Sequence, residues 1–305
     1  MTPLDFESEF THPLPRAVLT VSNNDMWNRI TIIGCGLIGS SFALALRQSG
    51  GAGKIAGWDA SAAVLDEALE RGIIDEIDHS FRNGECSSSD LIYLAMPVTE
   101  IIRFIQESGD QIKAGAVLTD AGSTKKEICR AARTHITKNV CFIGGHPIAG
   151  SQKSGPANAR ADMFSGAPYV LVRENGDSDC KHVSALHNTL ETIGARVTIM
   201  TAAEHDRHVA LLSHLPQLLS SALAATVKNT STPITMAGSG YRDMTRLAAS
   251  TWSMWHDILA TNPLPIADAL NQVIERLSSV RNELLQQSER QTVALPISQG
   301  LFERN

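Results

Sequence analysis

The 305-residue chain has no Cys-x-x-Cys pair, no basic tract, no internal repeat and no low-complexity linker. Its five cysteines, Cys35, Cys86, Cys129, Cys141 and Cys180, are odd in number and show no disulfide-framework spacing. Reduced thiols in a cytoplasmic protein are therefore expected. A net charge of −6 without a basic-aromatic stripe argues against a nucleic-acid partner. The apolar stretches are interrupted before the roughly 18 residues that suggest a membrane span, so no membrane association is expected. Residues 1–27 lack the charged start and apolar core of a signal peptide, contain three prolines, and read as a loosely ordered extension. His205 and His208 fall three apart on one predicted helix, but no carboxylate-rich or cysteine set completes a site, so no metal is expected.

What is present is an alternation of short apolar runs with helical stretches. The runs are 30–34, 54–58, 91–95, 116–120, 140–145, 169–172 and 196–200. This predicts an α/β domain of parallel strands and crossover helices over 28–200. After Thr201 the pattern turns helical. Stretch 204–228 is apolar on nearly every face, and such a helix must be buried. In a helical tail of this size the simplest cover is a second subunit. Residues 201–305, with further helices at 245–260 and 265–287, therefore read as an all-α dimerisation domain.

The run Ile30-Thr-Ile-Ile-Gly34-Cys-Gly36-Leu-Ile-Gly39 is a buried strand, a glycine turn and a helix start. Gly34 permits the tight turn, Gly36 the approach of a pyrophosphate, and Gly39 close helix packing. Phosphates would meet the N–H groups around Leu37 and Ile38 at the helix N-terminus. Asp59, twenty residues past Gly39, is placed to bond a ribose. It would repel a 2′-phosphate, and Ala60 and Ser61 offer no neutralising arginine, which favours NAD over NADP. Met96 and Pro97 follow the next strand and complete the cofactor candidates of a Rossmann-like domain.

Other candidates also follow strand ends, where an open parallel sheet binds ligands. Ser123 sits in Asp120-Ala-Gly-Ser-Thr-Lys125, where either it or Thr124 reads as a helix N-cap. Ligand contact is an equally open role for Ser123. Lys125 and Lys126 read as surface charges. His146, between glycines and Pro147, is an odd packing choice and a suitable proton acceptor. Arg246 offers a planar fork to a carboxylate, whereas Arg242 reads as a surface residue. His214 precedes Leu215-Pro216, and Pro216 should kink the long helix there.

Taken in order, Gly34-Cys-Gly-Leu-Ile-Gly39, Leu94-Ala-Met-Pro-Val98, Asp120-Ala-Gly-Ser-Thr-Lys125, Gly145-His-Pro-Ile-Ala-Gly150, Leu212-Ser-His-Leu-Pro216 and Gly240-Tyr-Arg-Asp-Met-Thr-Arg246 with Met254-Trp255 resemble the prephenate/arogenate dehydrogenase family of tyrosine biosynthesis. The resemblance covers roughly 28–290. It implies a Rossmann-like domain, an all-helical dimerisation domain, and NAD-dependent oxidative decarboxylation of prephenate or arogenate by a homodimer. It further implies His146 and Ser123 at the reacting hydroxyl. Arg246, His214, Ser151, Gln152, Asp243 and Trp255 would then lie around the substrate. Gln152 stands where family members often carry Glu, which removes a charge. Two other readings compete. A β-hydroxyacid or imine dehydrogenase shares this layout, but none of the eight lysines begins the Lys-x-x-x-Asn pattern of the β-hydroxyacid group. A nucleotide-sensing binding protein would need neither His146 nor Arg246.

Overall fold

The computed structural model describes residues 27–83, 87–136, 139–150, 153–174, 181–290 and 295–302. Expectations for residues 1–26, Cys86, Ser151, Gln152 and Cys180 lie outside the described residues. Among those described, β1 (Trp27–Ile33), β2 (Ala52–Trp58), β3 (Glu76–Ile77), β4 (Leu91–Leu94), β5 (Val117–Asp120), β6 (Cys141–Pro147), β7 (Pro168–Val172) and β8 (Arg196–Met200) form one sheet. Its order is β3-β2-β1-β4-β5-β6-β7-β8. The strands from β3 across to β6 pair in parallel. Helices α1 (Leu37–Ser49), α2 (Ala62–Glu70), α3 (Ser80–Asn83), α4 (Val98–Ser108), α5 (Lys126–His135) and α6 (Lys181–Thr192) lie between strands along the chain.

Side chains alternate across a strand, so β4 sends Leu91 and Tyr93 into one core and Ile92 and Leu94 into the other. All four are buried, as expected for a central parallel strand covered on both faces. Trp27 belongs to β1 and not to the N-terminal extension. It is buried, and its indole Nε1 donates to Thr189 Oγ1 at 3.0 Å. The expectation of uniformly parallel strands fails at β7, which pairs antiparallel with β6. Parallel neighbours usually need a crossover helix. The described part of the β6–β7 link holds only a 3-10 turn, Pro156–Asn158.

The rest of the chain is helical. It comprises α7 (Ala202–Val209), α8 (Leu215–Lys228), α9 (Ser239–Thr245), α10 (Trp252–Thr261), α11 (Pro263–Arg290) and α12 (Pro296–Phe302). Thr201 opens α7 with a capping box: its hydroxyl accepts from Glu204 N–H while the Glu204 carboxylate accepts from Thr201 N–H. A π-helical turn, Ala210–His214, joins α7 to α8. By length and composition the continuous helix Ala202–Lys228 is long and apolar enough to cross a membrane, contrary to the reading of interrupted runs. Within this chain only 33% of its most apolar window is buried. The exposed apolar set includes Leu211, Leu212, Met236, Trp252 and Leu264.

The helical half sits on the carboxyl edge of the sheet. Asp257 of α10 accepts from both the backbone N–H (3.1 Å) and the hydroxyl (2.6 Å) of Thr99, at the start of α4. Thr261 meets Thr124 hydroxyl to hydroxyl at 2.7 Å. The Asp206 carboxylate accepts from the backbone N–H groups of Lys125 and Lys126 at 2.8 and 2.9 Å.

Candidate active site

The β1–α1 turn shows why glycine is needed there. Gly34 has φ +94°, and a Cβ on it would lie 2.5 Å from the Ala95 carbonyl oxygen. A Cβ on Gly39 would lie 2.1 Å from the Gly34 carbonyl oxygen, so α1 packs against the turn itself. At Gly36 a Cβ would meet nothing within 4 Å. Helix α1, from Leu37 through Ile38 and Gly39, has no acidic residue in its first turn, so its N-terminus, open beside Gly36, suits an anion. Asp59, just beyond β2, accepts from Cys35 N–H and Ser61 N–H, each at 2.9 Å. Burial, then the Asp59 charge, pushes the Cys35 thiol up to about 12, leaving it a packing residue. Gly34, Gly36, Asp59, Met96 and Pro97 line one cleft of about 430 Å³ with Phe81 and Phe104. Arg103 also lines it and was not foreseen as a cofactor-site residue. It is paired with Glu100 on the same helix.

At the far side of the edge, β6 carries His146. Lys125, expected at the surface, is fully buried. Its ammonium pairs with the fully buried Asp120 carboxylate and donates to the Gly145 carbonyl at 2.6 Å. Asp120 also accepts from Gly122 N–H (2.8 Å) and Gly145 N–H (3.1 Å). A Cβ on Gly145 would lie 2.5 Å from the Asp120 carbonyl oxygen. A buried ion pair thus clamps the end of β5 to the residue preceding His146.

His146 Nδ1 lies 2.8 Å from His205 Nε2, and His205 Nδ1 lies 2.8 Å from Asp206 Oδ1. His205 is therefore engaged with His146 and Asp206, while His208 is exposed. Among the described residues no group of three or more His, Cys, Asp or Glu is arranged to hold a metal. Burial, followed by the nearby His205, Lys125 and His214, holds the His146 pKa well below the ordinary imidazole value. His205 is lowered as well, chiefly by burial. Neither Ser123 nor Thr124 caps α5. The helix starts at Lys126, and its N-terminal N–H groups are taken by Asp206. Ser123 is half-buried in the turn between β5 and α5.

His214 closes the π-helical turn and is buried. Its ring meets Trp255 edge-on, centroids 5.8 Å apart, and burial pushes its pKa down to about 4. The Trp255 indole N–H is buried with no hydrogen-bond partner among the described residues. Gln217 of α8, which the sequence offers only as a neutral group near the substrate side chain, donates to the Leu247 carbonyl at 2.8 Å and accepts from the Ser250 hydroxyl at 3.1 Å. It thereby pins the 3-10 turn Arg246–Ala249. Asp243 and Arg246 are exposed, and among the described residues no hydrogen bond or ion pair joins either to His146.

The family model "Prephenate dehydrogenase, nucleotide-binding domain" matches residues 42–199, and "Prephenate dehydrogenase, dimerization domain" matches 201–295. A prephenate dehydrogenase of Bacillus subtilis is 33% identical over 269 residues, 87% of this chain and 72% of that protein. A cyclohexadienyl dehydrogenase of Zymomonas mobilis is 28% identical, over 86% of this chain and 90% of the relative. The crystal structure of Aquifex aeolicus prephenate dehydrogenase, solved with hydroxyphenyl propionate and NAD+, superposes with a TM-score of 0.81 at 30% identity. It covers 90% of this chain and 95% of that one. With both of its halves matched in order, the chain belongs to the prephenate dehydrogenase family.

Proposed function

We propose that the chain catalyses the NAD-dependent oxidative decarboxylation of prephenate in tyrosine biosynthesis. The observation that carries this reading is His146, bonded to His205 and with its pKa lowered by burial, at the sheet edge that also forms the nucleotide cleft. The relatives named above, acting on prephenate or cyclohexadienyl substrates, support it. The open α1 N-terminus and the Asp59 carboxylate fit a dinucleotide, with Gly34, Gly36, Leu37, Ile38, Gly39, Met96 and Pro97 around it. Bound there, NAD would supply the acceptor for the hydride of the carbinol carbon.

The chain's own groups handle charge and protons. His146 takes the hydroxyl proton as that hydride departs, and Ser123 orients the same hydroxyl. Positioned proton transfer of this kind is worth about 10²–10⁴ in rate. Arg246 holds a substrate carboxylate. Loss of the ring carboxylate as carbon dioxide makes the ring aromatic, so positioning is most of what the protein must supply. His214 and Trp255 wall the pocket and Asp243 completes its rim, while Ser151 and Gln152 remain substrate candidates on the sequence resemblance. Segment 212–217 offers His214 and Gln217 but no acid to pair with an ammonium, which favours prephenate over arogenate. We take 27–200, one residue longer than read from the sequence, and 201–305 as the functional units of a cytoplasmic homodimer joined through the helical half.

The test is to supply prephenate and, in parallel, arogenate with NAD to the purified chain and follow NADH absorbance. NADH formation from prephenate, exceeding that from arogenate, is expected. No NADH from either substrate overturns the assignment.

A further inference from the structure

We propose that His205 and Asp206 are positioning residues for the reaction, holding His146 in the tautomer that carries its proton on Nδ1 and leaves Nε2 bare. The inference rests on the reading of His146 as proton acceptor.

The direction of each hydrogen bond follows from donor and acceptor capacity. An ionised carboxylate only accepts. Asp206 already accepts the backbone N–H groups of Lys125 and Lys126 at the start of α5, so the bond to His205 Nδ1 has the imidazole as donor. A neutral imidazole has one proton. His205 Nε2 is then bare and accepts from His146 Nδ1, 2.8 Å away. His146 has spent its proton there, and Nε2 is left as the acceptor. In free histidine the proton favours Nε2, so the chain of bonds selects the less favoured form, which is the one a base acting through Nε2 requires.

Burial opposes an extra proton on the pair and outweighs the pull of Asp206 and Asp120 on His205. The buried Lys125 ammonium faces it from the β5–α5 turn and His214 from the π-helical turn, while Asp120 is paired with that ammonium and Asp206 holds His205. Both imidazoles are held below their ordinary pKa, so each has one proton to place at neutral pH. Capping α5 requires only the two backbone bonds of Asp206. The third bond, to His205, adds nothing to that cap and serves to orient the ring.

The test combines ¹⁵N NMR of histidine-labelled protein at neutral pH with steady-state kinetics of His205→Leu and His205→Gln. In the unaltered protein the His146 Nδ1 resonance is expected at a protonated position and Nε2 at an unprotonated one. His205→Leu should move the His146 proton toward Nε2. It should also lower kcat about 10- to 100-fold, short of the full cost of removing a base, with KM for NAD unchanged. His205→Gln, whose amide oxygen can accept the Nδ1 proton, should recover most of the rate. A wild-type spectrum with the proton on Nε2, or an unchanged kcat in His205→Leu, overturns the proposal. If His205→Leu does not fold, the wild-type spectrum alone decides. Unchanged turnover in His146→Asn would instead remove the catalytic reading of His146, leaving the tautomer assignment to the spectrum.

Discussion

At the residue scale, we assign the choice of cofactor to one carboxylate, Asp59. It sits at the cleft with both oxygens accepting backbone N–H groups, and the arginine of that cleft, Arg103, is already paired with Glu100. A 2′-phosphate would meet negative charge there. We expect kcat/KM to be clearly higher with NAD than with NADP, and equal values would contradict this. Arg246 is assigned the substrate carboxylate. Arg246→Ala should raise KM for prephenate about 10- to 100-fold, as expected for losing charge-assisted hydrogen bonds worth roughly 1.5–3 kcal/mol. An unaltered KM would leave it a surface arginine. His146 stands out in the sequence because two glycines and a proline are poor company for a packed imidazole. Lys125 does not, because a lysine after Ser-Thr near a helix start reads as solvated. Only the Gly145 carbonyl and Asp120, brought together by β5–β6 pairing, reveal it as buried. His205 carries no local signal of its role, since its partner His146 lies 59 residues earlier.

At the scale of elements, the long helix was legible and its internal break was not fully so. Pro216 predicts a disturbance near His214. The structure resolves it as a π-helical turn, in which the Leu215 N–H reaches back to the Ala210 carbonyl. Pro216, with no N–H and a bulky ring, is accommodated beside this widened turn. The cap of α5 was misread because its donor groups are satisfied from the other half of the molecule, 81 and 80 residues away. The predicted helix 245–260 is divided at Ser250-Thr251, so Arg246 lies in a 3-10 turn and not in a long helix. That turn depends on Gln217. Gln217→Ala should destabilise the protein by about 1–3 kcal/mol through the stranded Leu247 carbonyl. It should also raise KM for prephenate while sparing KM for NAD. Thermal unfolding with kinetics checks both, and no change in either would show that the turn holds Arg246 without Gln217.

At the scale of the molecule, the helical half docks onto the carboxyl edge of the sheet through Asp257–Thr99, Thr261–Thr124 and Asp206 at the start of α5. These contacts bring His146 of the sheet to His205 of the helices. The alternation of runs revealed the sheet and the helical half that follows it, but the antiparallel β7 and this docking depend on contacts with no local signature. Leu212 is 81% exposed, Met236 78% and Trp252 68%, on a half matching a dimerization domain. Sedimentation should find a dimer, and Leu212→Glu should shift it toward monomer. A monomeric wild-type chain would contradict the cover proposed for this face.

The account turns on His146 accepting the proton of the reacting hydroxyl, and turnover of prephenate by His146→Asn beside the unaltered chain tests this most directly. The account predicts a fall in kcat of about 10²–10⁴ with NAD affinity retained. Turnover in His146→Asn equal to that of the unaltered chain would contradict it.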